Sequence, residues 1–170
     1  MANRSPSNYP DIGILGEDLV AQWLQSQGWI ILQRRFFCRW GEIDIIAEWD
    51  GLLTGEKEET ATHSRLPTPD SILAFVEVKT RRPGNWDAGG KSAITPQKQA
   101  KLWRTAQIFL AEHPEKADYS CRFDVAIVYF QPISHNSPRN KFMRTIEPNL
   151  SLPGMQLILQ EYIPGAFAEA

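Results

Sequence analysis

The residue pattern predicts an α/β fold of about five strands and two helices. Three observations carry this. An apolar stripe at helical spacing opens the chain, three runs of strand character follow with no helix among them, and a capped second helix then precedes further strand.

Residues 1–10 hold Pro6, Pro10 and small polar residues and read as a flexible tail. Asp11 is placed to cap a first helix, whose stripe is Ile14, Leu15, Leu19, Val20, Trp23 and Leu24; Gly28 is its stop. Glu17 lies in its first turns, where a carboxylate is favourable to the helix N-terminus. Trp29–Leu32 starts a strand that continues toward Phe36, and after Gly41 the run Glu42–Trp49 reads as a second. Alternation places Ile43 and Ile45 on one face of that strand, with Asp44 and Ile46 on the other.

Residues 50–71 carry two glycines, two prolines and a polar run without sustained periodicity, and are expected to form a long hairpin linker. Ile72–Thr80 is a third strand. It should pair antiparallel with the second, because the link contains no crossover helix. Thr95-Pro96 opens the second helix as N-cap and first helical residue; Leu102, Ala106, Phe109 and Leu110 form its core stripe and Pro114 ends it. Arg122–Phe130 is a fourth strand. Residues 131–144 read as loop, and Met155–Ile163 as a short fifth strand. The whole is expected to be one domain.

Hydrophobic content of 42% and charged content of 22% are those of an ordinary globular chain, and no apolar run is long enough to span a membrane. The first ten residues lack the apolar segment of a secretory signal. Cys38 and Cys121 are too few for a disulfide framework or a zinc cluster, so a cytoplasmic protein with reduced thiols is expected. Net charge is −2, but between Lys79 and Arg104 seven basic residues stand against one acid. A near-neutral chain with one concentrated basic segment points to a positive face aimed at an anion.

The chemistry concentrates on Phe75-Val76-Glu77-Val78-Lys79-Thr80-Arg81-Arg82. Glu77 and Lys79 are two apart on a strand, so they share a face. Asp44 interrupts the apolar neighbouring strand, where an unpartnered carboxylate would be costly. If the two strands pair, Asp44 and Glu77 converge within reach of one hard cation, which takes oxygen ligands and keeps several waters. Lys79 is then placed to orient or deprotonate an attacking water or to hold a phosphate, with Glu17 contacting the metal through water. The alternative reading of the same residues is a buried structural ion network. Arg81 and Arg82 past the strand, and Gln97, Lys98, Lys101 and Arg104 along the second helix, are candidates for contact with nucleic acid. Trp40 and Trp86, in loops near these motifs, are candidates to stack on bases.

Gly41-Glu42-Ile43-Asp44-Ile45-Ile46-Ala47, followed by Phe75-Val76-Glu77-Val78-Lys79-Thr80-Arg81, resembles the PD-(D/E)xK nuclease signature. It is closest to the form in the YraN-like family of small bacterial proteins, distant relatives of archaeal Holliday-junction resolvases. Gly16-Glu17, Lys98 with Leu102 and Ala106, and Arg122-Phe123-Asp124-Val125 extend the resemblance over roughly residues 13 to 130. It implies a restriction-endonuclease-like fold, a central mixed β-sheet flanked by helices. It further implies a metal-dependent endonuclease using Mg²⁺ or Mn²⁺ on DNA, branched or structured DNA included, and a homodimer. By that resemblance Asp44 and Glu77 hold the metal, Lys79 assists catalysis and Glu17 supports the site. A nucleic-acid-binding module that keeps the fold and cuts little is the alternative. Asp44 and Glu77 stand 33 positions apart, more than the short hairpin usual in the family would need.

Overall fold

The structure is a computed structural model, described over residues 11–50, 71–82, 94–133 and 146–167. The tail, residues 51–70 of the linker, Trp86 and the greater part of the 131–144 loop lie outside the described residues.

The chain runs α1 (Ile12–Ser26), β1 (Ile30–Cys38), β2 (Gly41–Trp49), β3 (Ile72–Arg81), α2 (Pro96–Glu112), a single 3-10 turn (Pro114–Lys116), β4 (Ser120–Pro132), β5 (Ile146–Leu152) and β6 (Met155–Phe167). The strands form one six-stranded mixed sheet in the order β1-β2-β3-β4-β6-β5. β3 and β4, joined through α2, are parallel, and the other neighbours are antiparallel. This α/β architecture, a central mixed sheet with flanking helices, is compatible with a nuclease-like fold. The sheet holds six strands where about five were expected. β5 is the addition, and β6 runs on to Phe167. Pro153-Gly154 joins the two, with Gly154 at φ 81. β5 carries a proline and a register shift, which weaken a period-two signal.

Both helices begin and end where the residue chemistry places them. The Asp11 carboxylate accepts from the Gly13 N–H at 2.9 Å, and Thr95 Oγ1 from the Lys98 N–H at 3.3 Å, with Pro96 next. α1 closes with Gly28 N–H bonded to the Gln25 carbonyl and Trp29 N–H to that of Leu24, a pattern that needs the left-handed residue Gly28 (φ 89).

Two apolar layers follow. Leu19, Val20 and Leu24 of α1 pack on Ile45, Ala47, Ala74, Val76, Ala126 and Val128. Leu102, Ala106 and Phe109 of α2 pack on Phe36, Ile43, Ile46, Leu73, Phe75, Phe123 and Val125. Central strands covered on both faces read as continuous apolar runs. Ile14, expected in the α1 stripe, is instead exposed.

The simple alternation proposed for β2 fails at one point. Ile43 packs with Ile46 on the α2 side, whereas Ile45 faces α1. Their partners on β1 do the same: Arg34, aligned with Ile45, reaches Asp18 of α1, while Phe36, aligned with Ile43, joins the α2 layer. Between these pairs lie Arg35, at φ 53, and Asp44. A left-handed residue within a strand turns the next side chain to the other face. For a non-glycine it costs about 1–2 kcal/mol, so surrounding contacts must hold it. β2 pairs with β3 only over Ile45–Trp49, so the two strands part at Asp44.

Asp124, fully buried, ties the far side of the sheet. It accepts from Tyr162 Oη at 2.7 Å and Gly165 N–H at 2.9 Å and pairs with Arg122 at 3.1 Å. It is thus a structural anchor at the register shift between β4 and β6. Of the described helices, none is long and apolar enough to cross a membrane.

α1 approaches β3 closely at Gly16, where an added Cβ would stand 2.0 Å from Thr80 Oγ1. Gly16→Ala is therefore expected to cost roughly 1–3 kcal/mol through overpacking. A denaturant titration should show a lowered midpoint with an unchanged slope; an unchanged midpoint would contradict the close approach.

Candidate active site

Asp44 sits where β2 leaves β3. Ile45 aligns with Val76, so Asp44 and Glu77 are the next residues along the two strands. Where the β2 main chain no longer pairs, the Asp44 side chain takes its place: Oδ2 accepts from the Val78 N–H at 2.6 Å. This explains a carboxylate inside an apolar strand without any ligand. It also brings a second acid beside Glu77. Burial, then the neighbouring Glu77 charge, push the Asp44 carboxyl up to about 7, and the bond from Val78 only partly offsets this.

Glu77 is 4% exposed. Its Oε1 receives Lys79 Nζ at 2.6 Å and Lys98 Nζ at 3.2 Å. Its Oε2 is buried and has no hydrogen-bond partner among the described residues. Glu77 and Lys79 share the α2 face of β3, as the spacing predicts. Lys98 reaches Glu77 from the first turn of α2, a turn fixed by the Thr95 cap.

Glu17 is buried on α1 at 8% exposure, between Arg35 (3.6 Å) and Arg34 (3.7 Å). Arg35 also holds Glu42 at 3.2 Å, and Arg34 holds Asp18 at 2.5 Å. Burial raises the Glu17 carboxyl, opposed by the charges of Arg35 and then Arg34. Its charge is felt at Asp44, but its nearest partners are guanidinium groups. The arginine pair was not anticipated. The signal for it was the adjacent pair Arg34-Arg35 in a largely apolar strand, which alternation alone would have sent to opposite faces.

Among the described residues no three His, Cys, Asp or Glu side chains gather as a metal cage. Asp44 and Glu77 would be the acidic donors for a cation. The fit rests on the orphaned Glu77 Oε2 and the up-shifted Asp44: a buried and a half-buried acid, the first with an oxygen unpartnered among the described residues. An oxygen-only donor set suits Mg²⁺ or Mn²⁺, which retain several waters.

The remaining candidates spread outward. Arg81 ends β3, aligned with Tyr129, and Arg82 is exposed with its guanidinium 5.0 Å from the Phe130 ring. Gln97, Lys101 and Arg104 are exposed along α2. Arg104 lies 4.6 Å from the centre of the Trp40 ring, and Arg39 is 4.9 Å from it. Trp40 is thus already faced by two guanidinium groups.

The acid pair makes a pH prediction for the metal-free protein. Asp44 is protonated when folded and ionised when unfolded between about pH 4 and pH 7, so folding takes up a proton there. Its contribution is most favourable below the unfolded value and is lost as pH rises through about 7. Asp44→Asn keeps an acceptor for Val78 and removes the charge. The Tm advantage of this variant over wild type is expected to grow from pH 5 to pH 8. A pH-independent difference would refute the shared acid environment.

Residues 16–128 match the model described as "Uncharacterised protein family UPF0102". A UPF0102 protein of Trichormus variabilis is 55% identical over 157 residues, covering 92% of this chain and 94% of its own. One from Nostoc sp. strain PCC 7120 is equally similar over the same coverage. One from Synechocystis sp. strain PCC 6803 is 41% identical over 167 residues, covering 92% and 97% of the two chains. With a family match over residues 16–128 and relatives of this similarity and coverage, the chain belongs to the UPF0102 family, the YraN family.

Proposed function

We propose that this protein is a metal-dependent endonuclease that hydrolyses phosphodiester bonds in DNA. One observation carries the reading. Glu77, a buried acid beside the half-buried Asp44, has one oxygen held by two ammonium groups and the other without a hydrogen-bond partner among the described residues. A structural ion pair gains nothing from such an orphaned oxygen, which costs free energy unless something binds it. Mg²⁺ or Mn²⁺ held by Asp44 and Glu77 would stabilise charge on the phosphate and lower the pKa of a bound water.

The side chains have separable duties. Asp44 is fixed by Val78, and Glu77 by Lys79 and Lys98, so both carboxylates are held in place. Lys79 is partly exposed while anchored on Glu77, so its remaining donors can hold a phosphate oxygen or orient a water. Lys98 supplies a second positive charge at the start of α2. Glu17 pairs with the side chain of Arg35, which lies across from Asp44 on β1, and so acts through position rather than by touching substrate. Lys101 and Arg104 extend the positive face for flanking phosphates.

A second reading has its own support. Two lysines on one carboxylate, and the lack of a three-acid cage among the described residues, also suit a DNA-binding module that cuts little. Incubation with Mg²⁺ or Mn²⁺ and linear, flapped and four-way DNA separates the two. Binding of any of these without cleavage would sink the nuclease reading and leave the module.

Lys79→Ala is expected to lower cleavage by about 100-fold or more while sparing binding, as for loss of a positioned acid–base group. Equal loss of both would assign Lys79 to binding alone. Mn²⁺ is expected to raise the Tm of wild type by mass action and to leave that of Glu77→Gln unchanged. Equal shifts in the two proteins would place the cation elsewhere.

A further inference from the structure

The β1–β2 hairpin tip stands outside the acid site, and its make-up is unusual for a tight turn. Cys38 aligns with Gly41, so Arg39-Trp40 is a two-residue connection. Such turns favour residues that accept positive φ, as Asn-Gly does, yet neither Arg39 nor Trp40 has positive φ. Contacts with α2 hold the tip instead. The Trp40 N–H donates to Cys38 Sγ at 3.4 Å, and the Cys38 thiol lies 3.6 Å from Thr105 Oγ1. A Cβ added at Gly41 would stand 3.6 Å from that same Oγ1 and 3.8 Å from Lys101 Cβ, so the end of the turn rests against the helix.

Two cations meet at the Trp40 ring. The guanidinium carbon of Arg104, on α2, is 4.6 Å from the ring centre, and that of Arg39 is 4.9 Å from it. The indole is half-buried and both arginines are exposed. Each contact is favourable by itself, because the ring face is electron-rich. Together they bring two like charges within about one Debye length (~10 Å at 0.1 M salt), where screening does not remove their repulsion. No acid offsets it: among the described residues neither Arg39, Arg104 nor the neighbouring Lys101 forms an ion pair. About 9 Å of helix separates Arg104 from Lys98, which touches Glu77. The pair is thus apart from the acids but on the row that leads to them. A guanidinium seated on a ring keeps its planar edge of N–H donors, which matches the oxygens of a phosphate.

We propose that Arg39 and Arg104, held on the Trp40 indole, form a clamp for the phosphodiester backbone of DNA beside the cleaved bond. Trp40 is then a positioning residue that carries the two arginines, not a ring that stacks on a base. This rests on the nuclease reading above and deepens it. The clamp grips backbone and reads no base, so it serves single strand and duplex alike.

The test is binding by the full-length chain without divalent ions, measured by fluorescence anisotropy over a range of salt. The probes are a labelled single strand and its duplex. Arg39→Ala and Arg104→Ala are each expected to weaken binding to both probes and to lower the salt slope by about one. Trp40→Leu is expected to weaken both roughly fivefold in the wild-type background and to cost nothing further once both arginines are alanine. Trp40→Phe keeps a ring and should restore the affinity. Either arginine variant binding both probes as wild type, with an unchanged slope, overturns the clamp. So does Trp40→Leu costing as much in the double-alanine background, or weakening the single strand alone, since the ring would then touch the DNA itself. The arginine variants lie at exposed positions and, with Trp40→Phe, decide the matter even where Trp40→Leu fails to fold. Wild type that binds neither probe defeats the underlying nuclease reading. Wild type that binds and cuts, with both arginine variants indistinguishable from it, defeats only the clamp.

Discussion

The hydrogen bond from the Val78 N–H to the Asp44 carboxylate is the contact on which the candidate site depends. β2 and β3 separate at this point, and the separation would leave a main-chain donor of β3 unpaired. A buried donor without a partner costs about 1–3 kcal/mol. Asp44 removes that cost and ends beside Glu77. One side chain thus lets two strands part and furnishes an acid in the gap. The consequence is electrostatic: burial, and then the neighbouring Glu77 charge, push the Asp44 carboxyl up to about 7.

The other side of the gap is kept in shape by cations. Arg35 lies across from Asp44 in a conformation that costs free energy, and Glu17 and Glu42 secure its side chain. Gly16 allows α1 to come down on Thr80, which sets Glu17 at the depth where it meets Arg34 and Arg35. Lys98 ties α2 to β3 at Glu77. Elements from both faces of the sheet therefore converge on one short stretch of β2 and β3, where the strands no longer hold each other. Backbone strain and orphaned polar atoms gathered at one place are the mark of a region shaped for something other than stability.

Charge on the outer face is organised rather than diffuse. Lys98, Lys101 and Arg104 follow one another along α2, but their environments differ: the first is bound to an acid, the second is exposed, and the third faces an indole ring. Arg122 and Asp124, which belong to the same family-like pattern in sequence, serve the packing of β6.

By itself the sequence determined the elements whose signals are local. Asp11, Gly28, Thr95 and Pro96 mark helix ends because capping involves neighbours in the chain. The apolar runs of β3 and β4 announce strands covered on both sides, and the spacing of Glu77 and Lys79 puts them on one face. The antiparallel β2–β3 pairing was legible from the missing crossover helix. The tertiary structure decided what depends on partners distant in sequence. It broke the alternation of β2 at Asp44, across from the left-handed Arg35 of the adjacent strand. It gave Glu17 to two arginines and Lys98 to Glu77, and it revealed β5, whose pairing rests on β6 rather than on its own pattern. Period and capping are properties of a segment; the side of a sheet on which a charge finds its counter-charge is a property of the packed whole.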